Sequence, residues 1–461
     1  VIGSGPGGYV AAIRASQLGK KVAVVEKAEI GGICLNWGCI PTKALLKSAQ
    51  VFNYAKHAAD YGIIMPEAPK PDFEAIVKRS RGVAEGMSKG VQFLFKKNKI
   101  ELINGFGKLV AGKKVEVTSA DGNVKAYEAD HIILATGARA RELPNLKLDG
   151  EKIISYRQAM VLPRMPKSMV VVGSGAIGSE FAYFYNSMGV EVTLVEFLPN
   201  ILPLEDEEVS KQLERSFKKA GMKVMTNSSV ETVDTTGEQC KVTVKTKKGE
   251  ELILADIVLS AVGVATNLEG LGLEDVGVKT ERGKVLVDDY YRTNIDGVYA
   301  IGDIVHGPAL AHTASHEGIT CVEAICGHHP VPVDYSNIPS CTYTNPEVAS
   351  VGMTEKQAKE AEAIAVQKVK EEVVEQTVVT VEQTVAETTV SEVEEAPIAE
   401  TVKEPVRAKH EIKPVEASDS ETSEDGPKVL GTIDLDMINQ KTRPKKKSKA
   451  EKEAERKQKD E

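Results

Sequence analysis

The chain has 461 residues, 42% of them hydrophobic and 27% charged, with a formal net charge of −9, which suits a soluble globular protein of two or three domains. That balance gives no reason for a nucleic-acid surface across the molecule, and no run of about 18 apolar residues exists to cross a membrane. Six cysteines are too few for a disulfide scaffold, so a reducing, cytoplasmic setting is expected.

The sequence opens abruptly at Val1-Ile2-Gly3, without Met and with almost no first strand, so its N-terminus is expected to be cut. A glycine turn at residues 3–8 leads into a helical pattern over Tyr9–Leu18 and a short apolar strand over Val22–Glu26, a β-α-β unit. Gly3 permits the tight turn, Gly5 lets the backbone approach a pyrophosphate, and Gly8 lets helix and strand pack closely. The helix start offers free N–H groups and positive dipole to phosphates. Glu26 closes the second strand, where a carboxylate accepts hydrogen bonds from both ribose hydroxyls. A G-x-G-x-x-G is weak by itself; with strand, helix and acid in place it marks a dinucleotide site.

Next comes Gly31-Gly32-Ile33-Cys34-Leu35-Asn36-Trp37-Gly38-Cys39-Ile40-Pro41-Thr42-Lys43. Its two cysteines are open to three readings: half of a metal site, inert buried thiols, or a redox pair. No second Cys or His pair with ligand spacing supports a metal. Cys39 stands just before an expected helix start, where the dipole lowers thiol pKa. A disulfide closing so short a loop suits electron exchange better than stabilisation, which favours the redox reading.

Residues 42–60 and 73–97 have helical periodicity. Residues 101–134 alternate apolar and polar positions with glycine punctuation, which predicts a small antiparallel meander ending in Ile132-Ile133-Leu134. From Ser168 the opening pattern repeats: strand Met169–Val172, glycine turn, helix Glu180–Met188, strand Val192–Glu196. This reads as an internal duplication of nucleotide-binding folds. The second fingerprint is Gly173-Ser174-Gly175-Ala176-Ile177-Gly178, and Glu196 follows Gly173 at the offset that separates Glu26 from Gly3. A carboxylate there favours a free 2′-hydroxyl and repels a 2′-phosphate, so NAD is preferred to NADP. Two such sites imply two dinucleotides, with hydride passing between them. Strands are expected near 224–226, 241–247 and 252–262, short strands over 284–303 and a helix through 312–327, with Pro330 and Pro332 marking a boundary.

Composition changes near residue 362. After Tyr343 there is no Phe, Tyr, Trp or Cys; residues 366–425 hold 6 Lys/Arg against 16 Asp/Glu, and residues 426–461 hold 11 against 7. Such sequence buries too little apolar surface to offset its ordering entropy, so 363–461 is expected to be a disordered charged tail.

The cysteine segment resembles the active-site signature of the pyridine nucleotide-disulfide oxidoreductases. Its Cys-Leu-Asn-Trp-Gly-Cys-Ile-Pro-Thr-Lys wording is similar to that of the dihydrolipoamide dehydrogenases, whereas glutathione reductases usually have Val where Leu35 and Ile40 stand. Further similar segments are Ala135-Thr136-Gly137, the second fingerprint with Glu180 beyond it, Gly297–Asp303, Gly307–His312 and Tyr343–Glu347, which together span about residues 1–360.

The resemblance implies an α/β fold with two Rossmann-like dinucleotide-binding domains, glutathione-reductase-like, and a truncated α+β interface domain. The FAD-binding domain would comprise 1–145 and 268–333, the NAD-binding domain 146–267, and the start of the dimerisation domain 334–362. The implied activity is oxidation of dihydrolipoamide, borne on the lipoyl domain of a 2-oxo-acid dehydrogenase or glycine-cleavage complex, with FAD as cofactor and NAD as acceptor. Cys34 would exchange with the dithiol, Cys39 would sit against the flavin, and Lys43, paired with Glu180, would lie near its ring. Asp303 would bind the ribityl chain. Gly107, Thr136, Gly137, Ala138, Ala309, Leu310, Ala311 and His312 would complete a pocket begun by Gly3, Gly5, Gly8 and Glu26. Val230 and Gly263 would join Gly173, Gly175, Gly178, Glu180 and Glu196 around NAD. Cys240, Cys321, Cys326 and Cys341 carry no motif and read as ordinary thiols.

The sequence departs from the family near its end. The family's dimerisation domain supplies a His, oriented by a Glu, to the partner's disulfide as general base. No later His-x-His-Pro followed by Thr and Glu occurs here, His410 is the only histidine after His329, and His328-His329-Pro330 reads as a linker. General-base help is worth about 10²–10⁴-fold, so weak dihydrolipoamide turnover with surviving NADH-to-dye activity is expected, and the family's homodimer loses part of its interface. Residues Lys428–Asn439 with Lys441–Lys447 resemble the linker before the GTPase domain of some bacterial translation initiation factors two, although no G-x-x-x-x-G-K-[ST] occurs. Lys445–Lys449 reads as a solvated basic segment rather than an RNA contact. The rival to an enzyme is a non-catalytic flavin-binding or interaction fusion carrying this tail.

Overall fold

The structure is a computed structural model, and it describes residues 1–365 and 367. These all belong to the first of two units into which the chain divides, Val1–Glu382 and Gln383–Glu461. The translation-factor-like segment, Lys445–Lys449, His410 and nearly all of the expected tail lie outside the described residues.

One strand plan is used twice. In the first sheet Glu101–Asn104, Ala23–Glu26, Ile2, Ile132–Leu134 and Val298–Ala300 lie side by side in that order, all parallel. In the second, Lys223–Met225, Glu191–Val195, Ser168–Val172, Ile257–Ser260 and Ile153–Ile154 repeat the order, again all parallel. Parallel strands covered on both faces read as continuous apolar runs, and Met169 to Val172 are all buried. Each sheet has its own three-stranded antiparallel meander: Phe106–Val110, Lys114–Thr118 and Val124–Glu128 for the first, Ser229–Asp234, Cys240–Thr246 and Gly249–Ala255 for the second.

Two strand expectations change. Glu101–Asn104 and Ile132–Leu134 alternate or run apolar as the meander does, yet both are parallel members of the first sheet. The stretch 252–262 is two strands broken at Asp256, whose carboxylate accepts from Lys167 N at 2.7 Å and Ser168 N at 3.2 Å. That turn carries the chain out of the meander and into the second sheet.

Helices follow local rules closely. Pro6–Gln17 and Ala176–Ser187 start from Gly5 and Gly175 in extended conformation. Phe73–Lys97 is capped by Asp72, which accepts from Ala75 N at 2.9 Å, and buries Ser80, Ala84, Ser88, Val91 and Phe95 at intervals of three and four. The helix expected from residue 42 begins on Cys39 itself and runs to Lys56. Its Leu45, Leu46 and Ala49 share one core with Phe181, Phe184 and Tyr185 of the second glycine helix, which packs the two dinucleotide units together. Beyond Pro332, Ser340–Thr342 pairs antiparallel with Val348–Ser350, and residues 355–365 and 367 are helical, reaching just past the expected start of the tail. No described helix is long and apolar enough to cross a membrane.

Candidate active site

The two glycine turns divide their labour identically. A Cβ on Gly3 would stand 2.2 Å from Ala135 O, and one on Gly8 2.1 Å from Gly3 O. Gly173 and Gly178 repeat this against Ala261 O at 2.5 Å and Gly173 O at 1.9 Å. The middle residues, Gly5 and Gly175, face open space instead, which is the requirement for a pyrophosphate approaching a helix N-terminus. The acids match as well. Glu26 accepts from Ser4 N at 2.9 Å, Ser4 Oγ at 2.6 Å and Ala28 N at 2.9 Å. Glu196 accepts from Ser174 N at 2.8 Å, Ser174 Oγ at 2.6 Å and Leu198 N at 2.8 Å. Each carboxylate is fixed at the end of its strand while keeping acceptor capacity for a ribose.

A cavity of about 780 Å³ runs from the first turn to Ala176 and Ile177, which begin the second glycine helix. It brings together Gly3, Gly5, Glu26, Cys34, Cys39, Lys43, Gly107, Thr136, Gly137, Ala138, Glu180, Asp303, Ala309, Leu310 and Ala311. Its size and concavity suit a cofactor, and the open face of Gly5 beside the fixed Glu26 suits the adenosine end of FAD. Gly8 and His312 do not line it. Gly8 packs beneath Gly3, and His312 places Nε2 2.9 Å from Pro339 O. Gly173, Gly175, Gly178, Glu196, Val230 and Gly263 also lie outside it. Near the second turn, Ser228 N donates to Glu196 O at 2.9 Å, which ties the strand of Val230 to that acid.

Cys34 and Cys39 are bonded to each other, Cys34 on the short helix Gly32–Trp37 and Cys39 at the first position of the helix capped by Gly38. Gly32, at φ 62°, brings this segment against the first turn, where its Cβ would stand 2.8 Å from Gly5 Cα. A thiolate formed at Cys39 on reduction stands at the N-terminus of an 18-residue helix, whose dipole favours it. One turn later, Lys43 Nζ lies 2.8 Å from both carboxylate oxygens of Glu180, which is 3% exposed. Tyr343 N donates to the same carboxylate at 2.9 Å, and the Tyr343 ring lies 5.0 Å from Lys43 Nζ. The cysteine helix, the second glycine helix and the segment after Pro332 thus meet at one ion pair.

Burial raises the Asp303 carboxyl above the usual range, and the Lys284 ammonium donates to its main-chain oxygen. Asn267 brackets Thr136 opposite, accepting from Thr136 Oγ1 at 2.7 Å and donating to Thr136 O at 3.0 Å. Other cavity residues carry no sequence signal. Cys341, which no motif marks, lines the cavity with the cysteine pair, and burial pushes its thiol up. The guanidinium groups of Arg81 and Arg157 lie over the Trp37 ring, 4.2 Å and 5.0 Å from its centroid, and Trp37 donates to Glu29 Oε1 at 3.1 Å.

Comparison with known proteins agrees with this geometry. Residues 1–318 match the pyridine nucleotide-disulphide oxidoreductase family, and residues 338–397 match the dimerisation domain of the pyridine nucleotide-disulphide oxidoreductases. A dihydrolipoyl dehydrogenase of Rhizobium etli is 50% identical over 376 residues, covering 78% of each chain. One of Zymomonas mobilis is 48% identical over 365 residues, with the same coverage. Among solved structures, LpdA from Mycobacterium tuberculosis aligns with a TM-score of 0.73 at 31% identity, over 78% of this chain and 79% of its own. A family match spanning residues 1–318, on a doubled strand plan with a disulfide between its two turns, makes this chain a member of the pyridine nucleotide-disulphide oxidoreductase family.

Proposed function

We propose that this chain is a dihydrolipoyl dehydrogenase, oxidising dihydrolipoamide to lipoamide with FAD as cofactor and NAD as acceptor. The observation that carries the reading is the Cys34–Cys39 disulfide in the wall of the cavity onto which Gly5 and Glu26 open. FAD, which Gly5, Glu26, Asp303 and Ala309 to Ala311 would hold, would supply the two-electron chemistry that links the cysteine pair to NAD. The rest falls to the chain's own residues. A substrate thiolate attacks Cys34 Sγ, the Cys34–Cys39 bond breaks, and Cys39 leaves as thiolate. The second substrate sulfur then attacks the mixed disulfide and frees Cys34. The substrate closes its own disulfide, giving up two electrons to the pair and two protons to solvent. Lys43, steadied by Glu180, would keep a cation beside the ring; Asp303 would accept from the ribityl hydroxyls; Glu196 would select the free 2′-hydroxyl of NAD.

The reading places the flavin in residues 1–145 and 268–333 and the nicotinamide in 146–267. Relatives named dihydrolipoyl dehydrogenase favour an enzyme over a non-catalytic fusion. The dimerisation match supports a homodimer, and the dithiol would arrive on the lipoyl domain of a 2-oxo-acid dehydrogenase or glycine-cleavage complex, in the cytoplasm.

The test is spectroscopic and kinetic. The purified chain should carry flavin absorbance and gain a long-wavelength shoulder on two-electron reduction. Cys34→Ser should keep flavin and NADH-to-dye activity but lose dihydrolipoamide oxidation by about 10³-fold or more. A colourless chain that takes up no added FAD overturns the reading. The ratio of dye to dihydrolipoamide rates measures the expected missing base: a ratio of about 10² or more bears it out, and equal rates remove it.

A further inference from the structure

Glu317 lies in the helix Ala311–Ile325, on the side facing the Gly302–Ile304 turn, and is 1% exposed. Its Oε2 accepts from Gly302 N at 2.6 Å and its Oε1 from Tyr335 Oη at 2.7 Å, while Tyr335 Oη stands 3.0 Å from Tyr291 Oη. One carboxyl therefore ties the turn that carries Asp303 to a tyrosine in the segment approaching Ser340–Thr342. The same tyrosine ring closes over Gly307, where a Cβ would stand 2.4 Å from Tyr335 Cε1. That contact holds the loop leading to Ala309 and Leu310 in the cavity wall.

We propose that Glu317 is a positioning residue for the flavin, holding the Gly302–Asp303 turn toward the ribityl chain and taking up a proton as the flavin binds. The inference rests on the flavin reading above. Glu317 lies close enough to Asp303 to feel its charge, and the cation acting on both, Lys284, donates to Asp303 O. Burial pushes both carboxyls up, that of Glu317 to about 7. A ribityl hydroxyl donating to Asp303 keeps that group ionised and excludes water, so the neighbouring Glu317 is the carboxyl that gains the proton.

Other titratable groups stand around Glu317 on the elements packed against it. Tyr335, Tyr291 and Cys321 are all pushed up by burial and stay neutral. The His306 ring packs on Tyr335, 4.9 Å between centroids. The first glycine helix sets Gly7 and Ala11 against Gly318, and its Arg14 is paired with Glu323. Because binding raises the affinity of Glu317 for its proton, flavin is held more tightly as pH falls toward about 7, where the gain is complete, and less tightly as pH rises above it.

Release of FAD from the full chain after dilution, followed by the rise in flavin fluorescence, reads this directly. Release should be about three- to tenfold faster at about pH 8.5 than at about pH 6. Glu317→Gln mimics the protonated acid and should release slowly at both. A Glu317→Gln chain with the parent's pH slope overturns the proposal. Tyr335→Phe removes a donor that favours the ionised carboxyl and should move the midpoint upward; an unmoved midpoint also overturns it, and decides the matter if Glu317→Gln does not fold. A chain that never holds flavin sinks the flavin reading itself. Flavin held with pH-independent release in the parent sinks this inference alone.

Discussion

Glu180 is the residue on which the cysteine-pair end of the cavity is built. Its carboxylate is nearly free of solvent and is balanced by Lys43 Nζ and Tyr343 N. Lys43→Met leaves that buried charge with one backbone donor. Because Lys43 itself is 36% exposed, the loss is set at the low end for a broken buried pair, about 2–3 kcal/mol, and should appear as a fall in Tm. A Tm unchanged from the parent would show that the pair carries little. Trp37 offers a second measurement. It is the chain's only tryptophan and stands in the cavity wall. Flavin absorbs where indole emits, so FAD binding should quench the intrinsic fluorescence; emission unaffected by bound flavin would place the flavin elsewhere. Neither residue's role is legible from spacing alone. Lys43 meets Glu180 across 137 positions, and Trp37 reads as one more apolar residue until Arg81 and Arg157 are found on its ring.

Among the elements, the two strand–glycine–helix turns are built alike yet predict separable effects. Gly8→Ala and Gly178→Ala each drive a Cβ to about 2 Å from a carbonyl oxygen of their own turn, so the helix must move off its strand. Gly178→Ala is expected to weaken NADH binding by about tenfold or more while flavin stays bound, and Gly8→Ala to lose flavin. Flavin absorbance per chain and an NADH titration check both; loss of both cofactors from either substitution would deny that the turns act separately. These turns were fully legible in the sequence because glycine spacing, a following helix and an acid at a set offset are all local. The helix Phe73–Lys97 was equally legible, from its helical periodicity. The strands at 101–104 and 132–134 were not assigned to their sheet. Apolar alternation reports that a strand is half-buried, and gives neither its partner nor its direction.

For the molecule as a whole, Glu317 links the cofactor cavity to the pH dependence of folding. Its carboxyl titrates at about 7 in the folded chain, against 4.5 ordinarily. At pH values below 4.5 both states hold the proton and the contribution is complete. Between 4.5 and about 7 the unfolded chain ionises first, so the contribution is lost as pH rises, and above about 7 none remains. Glu317→Gln should therefore be more stable than the parent at about pH 8 and no more stable near pH 4.5, by thermal unfolding at both. A stability difference independent of pH would remove Glu317 as the responsible group.

The amino-acid order by itself determined the doubled nucleotide-binding plan, the cysteine pair at a helix start and the acids Glu26 and Glu196 at a set offset from each glycine turn, because each depends on residues within about a dozen to two dozen positions of one another. Tertiary structure decided which of them share a cavity, which chain segment supports Asp303, and that Cys341 joins the cysteine pair. The reason is physical: a buried carboxylate or thiol takes its character from whatever burial sets beside it. Here the core of Leu45, Phe181 and Phe184 sets together groups far apart in the chain.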